Sequence, residues 1–254
     1  MKTLEKPSIH ELLDAIKLAH DNRDKPNANE YRSNMNLLLS RNEAAIKNNW
    51  DNGKHNQQAF DELIKSIELN GMKHFNMSVF MGSIADDWWQ RYDSVNQVTG
   101  FYENESSNKQ YLDDMTTSFN CNSVGCIAGF ATAVAMNWNS EEWLKGMSFA
   151  ERNNAFVNIA CNYLNIPKEI GERIFYGEEG SVWAFVKDYA QGFDDVEFTT
   201  EYDEDGDEYS WWEKEVDLNS IGYKHAAEVL RMINTGEIKF DTEYYEPYLT
   251  KEKK

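Results

Sequence analysis

Basic residues, cysteines and long apolar runs are all scarce in this chain, and each scarcity removes a class of function. Lys and Arg number 25 against 44 Asp and Glu, a formal charge of −19 at pH 7. A surface that tracks nucleic-acid phosphates needs clustered cations to displace condensed counterions, so direct nucleic-acid binding is not expected, and a partner steered by charge is basic. No window approaches the roughly 18 consecutive apolar residues that read as a membrane span, and Met1-Lys-Thr-Leu-Glu-Lys-Pro7 lacks the apolar centre of a secretory signal. The expectation is a cytoplasmic protein without membrane contact. Three cysteines do not make a disulfide framework, which fits reduced thiols in a reducing compartment. There is no Gly-x-Gly-x-x-Gly after a strand, no Walker loop, no Gly-x-Ser-x-Gly and no His-Glu-x-x-His, so no cofactor is expected and the commonest nucleotide, hydrolase and metalloprotease templates are removed.

What is present suffices for a substantial core: 41% of the 254 residues are apolar and 13% aromatic. Apolar residues recur at helical spacing over most of the chain. Ser8 with Glu11 reads as a capping box opening a helix that runs to about His20. A second helix is marked by Met35, Leu37 to Leu39 and Ala44 to Ile46, and a third by Phe60, Leu63, Ile64 and Ile67, stopped by Asn70-Gly71. Further helices are expected from Ser123 through Ala135, from Phe149 to Leu164 before Pro167, at 168–176, at 182–190, and through Ala226 to Ile233 with Gly236 placed for the C-cap. The strongest hairpin signal lies at 196–216, where two β-branched and aromatic runs flank Asp203-Glu-Asp-Gly-Asp207. The expected architecture is a single mainly α domain over 1–254. It has an N-terminal helical portion at 1–71, an aromatic-rich insertion at 82–120, and core helices with a small acidic β-hairpin at 121–240.

Two segments offer surfaces for a partner. The insertion shows no sustained period yet holds Trp88, Trp89 and Tyr92, and long structureless loops in compact domains are commonly functional; the simpler reading docks these rings on the core. The hairpin tip carries Asp203, Glu204, Asp205, Asp207 and Glu208, followed by Trp211 and Trp212, and from Glu178 to Asp217 the carboxylates are opposed only by Lys187 and Lys214. Such a field repels itself and presents a negative strip to a basic protein, including one whose DNA site it imitates; solubility alone is the competing explanation. A helix-loop-helix calcium site is rejected, because Gly206 falls between the third and fifth loop positions and Lys214 occupies the twelfth.

Cys121-Asn-Ser-Val-Gly-Cys-Ile-Ala-Gly-Phe-Ala131 concentrates thiols and small residues. A helix N-terminus lowers a thiol pKa, so Cys121 or Cys126 is a candidate nucleophile, with His74 the one histidine organised near enough to matter. The alternative, favoured by Gly125, Ala128 and Gly129, is that Cys126 is a small core residue where helices approach closely. No second paired ligand spacing accompanies the cysteines, so no metal site is expected.

Four blocks in order resemble a group of uncharacterised bacterial and bacteriophage proteins: Phe75-Asn-Met77; Cys121-Asn-Ser-Val-Gly-Cys-Ile-Ala-Gly129; Tyr163-Leu-Asn-Ile166 with Ile174-Phe175; and Ala226-Ala-Glu-Val-Leu230 with Thr235-Gly-Glu-Ile238. Asn122 and Ser123 stand where the group has Gly and Thr. The resemblance implies a shared helical core and a phage or mobile-element origin, and assigns no catalytic residue. The functional expectation is therefore a non-enzymatic, acidic protein-binding factor, with a DNA-mimic inhibitor of a host nuclease and a thiol enzyme as the rivals.

Overall fold

The computed structural model describes residues 5–50, 55–75, 77, 82–83, 123–124, 126–136, 149–176, 180–198, 216, 220–241 and 243–250. Within them the protein is mainly α, with helices α1 (Ile9–Asp21), α2 (Ala28–Trp50), α3 (Gln57–His74), α4 (Ile127–Ala135), α5 (Phe149–Leu164), α6 (Lys168–Phe175), α7 (Val182–Tyr189) and α8 (Tyr223–Asn234). Gly82–Ser83 (β1) pairs antiparallel with Ser123–Val124 (β2), and Ile238–Phe240 (β3) pairs antiparallel with Pro247–Leu249 (β4). No helix among the described residues is long and apolar enough to cross a membrane.

Local chemistry explains most helix ends. The Ser8 hydroxyl accepts from the Glu11 N–H at 3.2 Å while the Glu11 carboxylate accepts from the Ser8 N–H at 2.7 Å, closing the capping box. At the end of α5, Asn165 takes φ 56°, and the N–H groups of Ile166 and Asn165 return to the carbonyls of Cys161 and Asn162. Gly236, at φ +74°, does the same beyond α8, with Glu237 N–H bonded to Met232 O and Gly236 N–H to Ile233 O. Pro167 then fixes the direct passage from α5 into α6.

Helix α4 is central. Its residues Ile127 to Ala133 are all buried, as expected of a helix apolar on every side, and it packs on α3, α5 and α6. Around it Phe60, Leu63 and Ile67 of α3, Ala160 and Leu164 of α5, Ile170 and Ile174 of α6, Trp183 of α7, and Val229 and Leu230 of α8 form one continuous core. A smaller cluster joins α1 to the far side of α4 and α5 through Ile16, Ala133, Ala155, Phe156 and Ile159. Residues 5–8 strap this region together: the Asn162 amide donates to Asn42 Oδ1 at 2.6 Å and to the Pro7 carbonyl at 3.0 Å, and Lys6 Nζ donates to the Asn162 carbonyl at 2.7 Å. Burial of the Lys6 ammonium lowers its pKa.

Several expectations need correcting. Helix α2 contains all the residues that mark it and extends back to Ala28, where its first turns are largely exposed and carry no apolar stripe to read. Helix α3 continues past Asn70-Gly71 to His74; Gly71 serves close approach, since a Cβ there would lie 2.5 Å from Tyr223 Cβ on α8. Ser123 does not cap α4. It lies in β2, paired with Ser83, and Cys126 holds the N-cap position. The described C-terminal hairpin is β3–β4; of the one expected at 196–216, the described ends Phe198 and Val216 pair as an antiparallel bridge, and its tip lies outside the described residues.

Gly71 yields a sign test. Gly→Ala inside a helix ordinarily stabilises by about 0.5–1 kcal/mol, but here the added methyl overpacks α3 on α8. Gly71→Ala is expected to destabilise by about 1–3 kcal/mol in urea unfolding, and Tyr223→Ala, which keeps the colliding Cβ, should not restore the loss.

Candidate functional site

The cysteine block does not present a nucleophile at Cys126. Its side chain is fully buried, and burial pushes the thiol up to about 12, outweighing the Gly129 and Ala128 N–H groups that favour the thiolate. Cys161 is also buried, with its thiol raised by desolvation and then by Glu172. Cys121 lies outside the described residues, as does the side chain of His74, whose backbone ends α3. Among the described residues no three His, Cys, Asp or Glu side chains are grouped to hold a metal ion.

Of the acidic arm, the base is described. Asp188, Asp194, Asp195 and Glu197 are exposed, while Lys187 turns its ammonium onto the Asp194 carbonyl at 2.5 Å. The segment is anchored to the start of α8 in three ways. The Glu197 N–H donates to Ser220 Oγ at 2.8 Å, Phe193 lies beside the His225 ring at 5.6 Å, and His225 Nε2 meets Asp195 Oδ1 at 3.0 Å. Because His225 Nδ1 accepts from the Gly222 N–H at 3.1 Å, Nε2 carries the proton and donates to Asp195. The proposed contact residues Asp203, Glu204, Asp205, Asp207, Glu208, Trp211 and Trp212 lie outside the described residues, as do Trp88, Trp89 and Tyr92.

A cleft of about 500 Å³ opens between α6, the N-cap of α7 and the β3–β4 turn, lined by Glu169, Glu172, Arg173, Ser181, Glu243, Tyr244 and Tyr245. The periodicity of α6 explains its share: Ile170, Gly171, Ile174 and Phe175 are buried, which leaves Glu169, Glu172 and Arg173 on the opposite face. Gly171 packs beneath Cys161, where a Cβ would collide with the sulfur. Ser181 accepts from the Ala184 N–H at 3.4 Å and caps α7. Gly180, at φ +73°, leaves room for the Arg173 guanidinium, which a side chain there would strike.

The opposite wall is shaped by one carboxylate. Asp241 Oδ1 accepts from the N–H groups of Glu243, Tyr244 and Tyr245 at 2.9, 2.7 and 3.1 Å, and Oδ2 accepts from Glu246 N–H at 3.2 Å. These bonds hold the Asp241 carboxyl below its ordinary 3.8 and support Tyr245 at φ 55°. Tyr244 stays 64% exposed, and the Glu243 carboxylate beside its hydroxyl raises its pKa. On the α6 side Glu169 Oε1 accepts from Lys47 Nζ at 2.5 Å; that bond, with a further contribution from Glu43, raises Lys47 to about 12. Glu169 Oε2 is shut off from solvent and has no hydrogen-bond partner.

Sequence reasoning named none of these lining residues. The available signal was Asp241-Thr-Glu-Tyr-Tyr-Glu246, an aspartate positioned to bond the next N–H groups among acids and tyrosines. The pairing of this turn with α6, some 70 residues earlier by residue number, has no local signature. No protein-family model, curated protein or solved structure matches the chain.

Two outcomes follow. Cys126 is expected to resist iodoacetamide at neutral pH in the native protein and to react once urea unfolds it; mass mapping of the alkylated peptide reads this directly. Because the Asp241 carboxyl is lowered in the folded state, its contribution to the turn is complete above the ordinary carboxyl range and is lost as pH falls through the lowered value. Amide resonances of residues 243–246 should therefore move together at acid pH, and Asp241→Ala should shift them already at pH 7.

Proposed function

We propose that this chain is a non-enzymatic binding factor whose partner is a basic protein, acting in the cytoplasm and without direct contact to nucleic acid. The observation that carries the reading is the set of exposed carboxylates Asp188, Asp194, Asp195 and Glu197, which outnumber the neighbouring Lys187 in the same segment. A field of one sign raises encounter rates with cations and selects against acidic surfaces. It also carries a self-repulsion cost, which a partner of opposite charge relieves. The buried Cys126 thiol supports this reading over thiol chemistry at that residue. The resemblance of the four sequence blocks to bacterial and bacteriophage proteins favours an accessory phage factor directed at a host protein.

Affinity capture from host lysate at graded salt tests the reading. The expected result is a stoichiometric basic partner that is released by high salt and weakened when Asp188, Asp194 and Glu197 are neutralised. About two or three charge pairs give a salt dependence well above that of a neutral interface. A partner retained unchanged at high salt, or an acidic one, would overturn the proposal.

A further inference from the structure

We propose that the outward face of the α1–α2 hairpin docks on the same face of a second copy of this chain, with Leu18 of one copy meeting Leu37 of the other. This surface shares no residue with the acidic arm, and the inference does not depend on the basic-partner reading. Helix α2 is long and thinly supported at its start. From Ala28 to Arg41 none of its residues is buried, although Tyr31, Met35 and Leu37 to Leu39 lie in that stretch, and Leu37 is 68% exposed. Its composition gives little help, because Asn29, Ser33, Asn34, Asn36 and Ser40 are weak helix formers. A helix of that kind draws its stability from packing, and its chief neighbour is α1.

The exposed leucines share a face. Arg41 Nη2 reaches the Glu5 carbonyl at 3.4 Å, and the Glu11 carboxyl, lowered first by its bonds with Ser8, is lowered further by the charge of Arg41. The start of α1 therefore lies beside this part of α2, and the short connection at 22–27 makes the two helices an antiparallel hairpin. Leu18 stands about two helical turns from Glu11, and Leu37 about one turn from Arg41. Both leucines thus fall on the flank that Glu11 and Arg41 mark. With 11 opposite 41, residue 18 is level with residue 34, about one turn from Leu37. Leu18 is 51% exposed, so the two side chains form one apolar patch instead of two isolated ones.

Charge selects the occupant. Residues 9–41 hold Lys17, Arg23, Lys25, Arg32 and Arg41 against Glu11, Asp14, Asp21, Asp24 and Glu30; these balance, so the −19 of the chain resides elsewhere. Two copies repel through their acidic surfaces and escape that repulsion here. A basic partner gains nothing from a balanced face, and its carboxylates disfavour nucleic acid and anionic lipid. The patch is also self-complementary. When a two-fold axis runs along the helices within the interface, α1 of each copy lies antiparallel on α2 of the other. Leu18 then faces Leu37 and Glu11 faces Arg41, each twice, as an isologous contact requires. The product is an up-down arrangement of four helices. The face is about 20 Å long and two helices wide, at the small end of specific interfaces, so micromolar association is expected.

Sedimentation velocity of the full chain from about 1 to about 200 μM is the test. The expected result is a monomer passing reversibly to a dimer. Leu18→Glu and Leu37→Glu should each raise the dissociation constant by about tenfold or more, whereas Asp188→Asn with Asp194→Asn should change it by less than about threefold. Both leucines are exposed in the monomer, so the variants keep their fold, which circular dichroism checks. Under mild oxidation, a mixture of Leu18→Cys and Leu37→Cys chains, each also carrying Cys121→Ser, should form an interchain disulfide faster than either variant alone. A monomer at every concentration overturns the proposal, as does a dimer that both glutamate variants leave intact. So does a monomer whose Leu37→Glu form loses a partner from lysate, since the face then belongs to another protein. Disulfide formation no faster in the mixture than in Leu18→Cys alone overturns the pairing of α1 with α2.

Discussion

The close packing of small residues along α4 is the constraint on which the other elements depend. Ile127 to Ala133 are all buried, and α3, α5 and α6 pack on this helix, whose small residues Ala128, Gly129, Ala131 and Ala133 are interspersed with Ile127 and Phe130. A helix with no solvated face owes its stability to its neighbours rather than to its own propensity. The same device recurs at Gly71 against Tyr223 and at Gly171 against Cys161, where the absence of a Cβ lets α3 meet α8 and α6 meet α5. Cys126 belongs to this arrangement, as a small buried side chain at the N-cap of α4.

Polar groups inside the protein are used to fix relative positions. Asn162 and Asn42 are each 2% exposed, and their mutual hydrogen bond, extended to Pro7 and Lys6, ties α5, α2 and the segment before α1 at one point. Apolar contacts alone tolerate sliding, because they are non-directional; a buried amide left unpaired is penalised, so this network selects one register among those that bury similar area. Trp183 does likewise for α7, donating its indole N–H to the Ile174 carbonyl at 2.8 Å.

Charge is segregated from this framework. The described carboxylates of the arm base and the cleft are surface groups placed by caps, turns and one histidine, and the core contributes only their foundation. His225 joins the two roles, bonding Gly222 at the start of α8 through one nitrogen and Asp195 through the other. The cleft gathers its walls from segments distant in sequence, with α6 and the Asp241 turn brought together because both pack on the same core.

Helix positions were legible wherever an apolar stripe or a local cap reports on its own neighbourhood, as at Ser8 with Glu11, at Leu164 before Pro167 and at Gly236. They were illegible where a tertiary partner overrides the local signal. Gly71 read as a stop and is a contact, Ser123 read as a cap and is a strand residue, and the opening of α2 lacks any apolar stripe. The acidic balance and the scarcity of thiols came from composition, which requires no coordinates. By itself, then, the sequence determined that the chain is mainly helical, strongly acidic, and built around a small-residue block, because these are properties of near neighbours and totals. Only the tertiary structure decided that Cys126 is shut away from solvent and that Glu169, Glu172, Glu243 and Tyr244 share one cleft. Burial and juxtaposition depend on contacts between residues far apart in the chain, which periodicity does not encode.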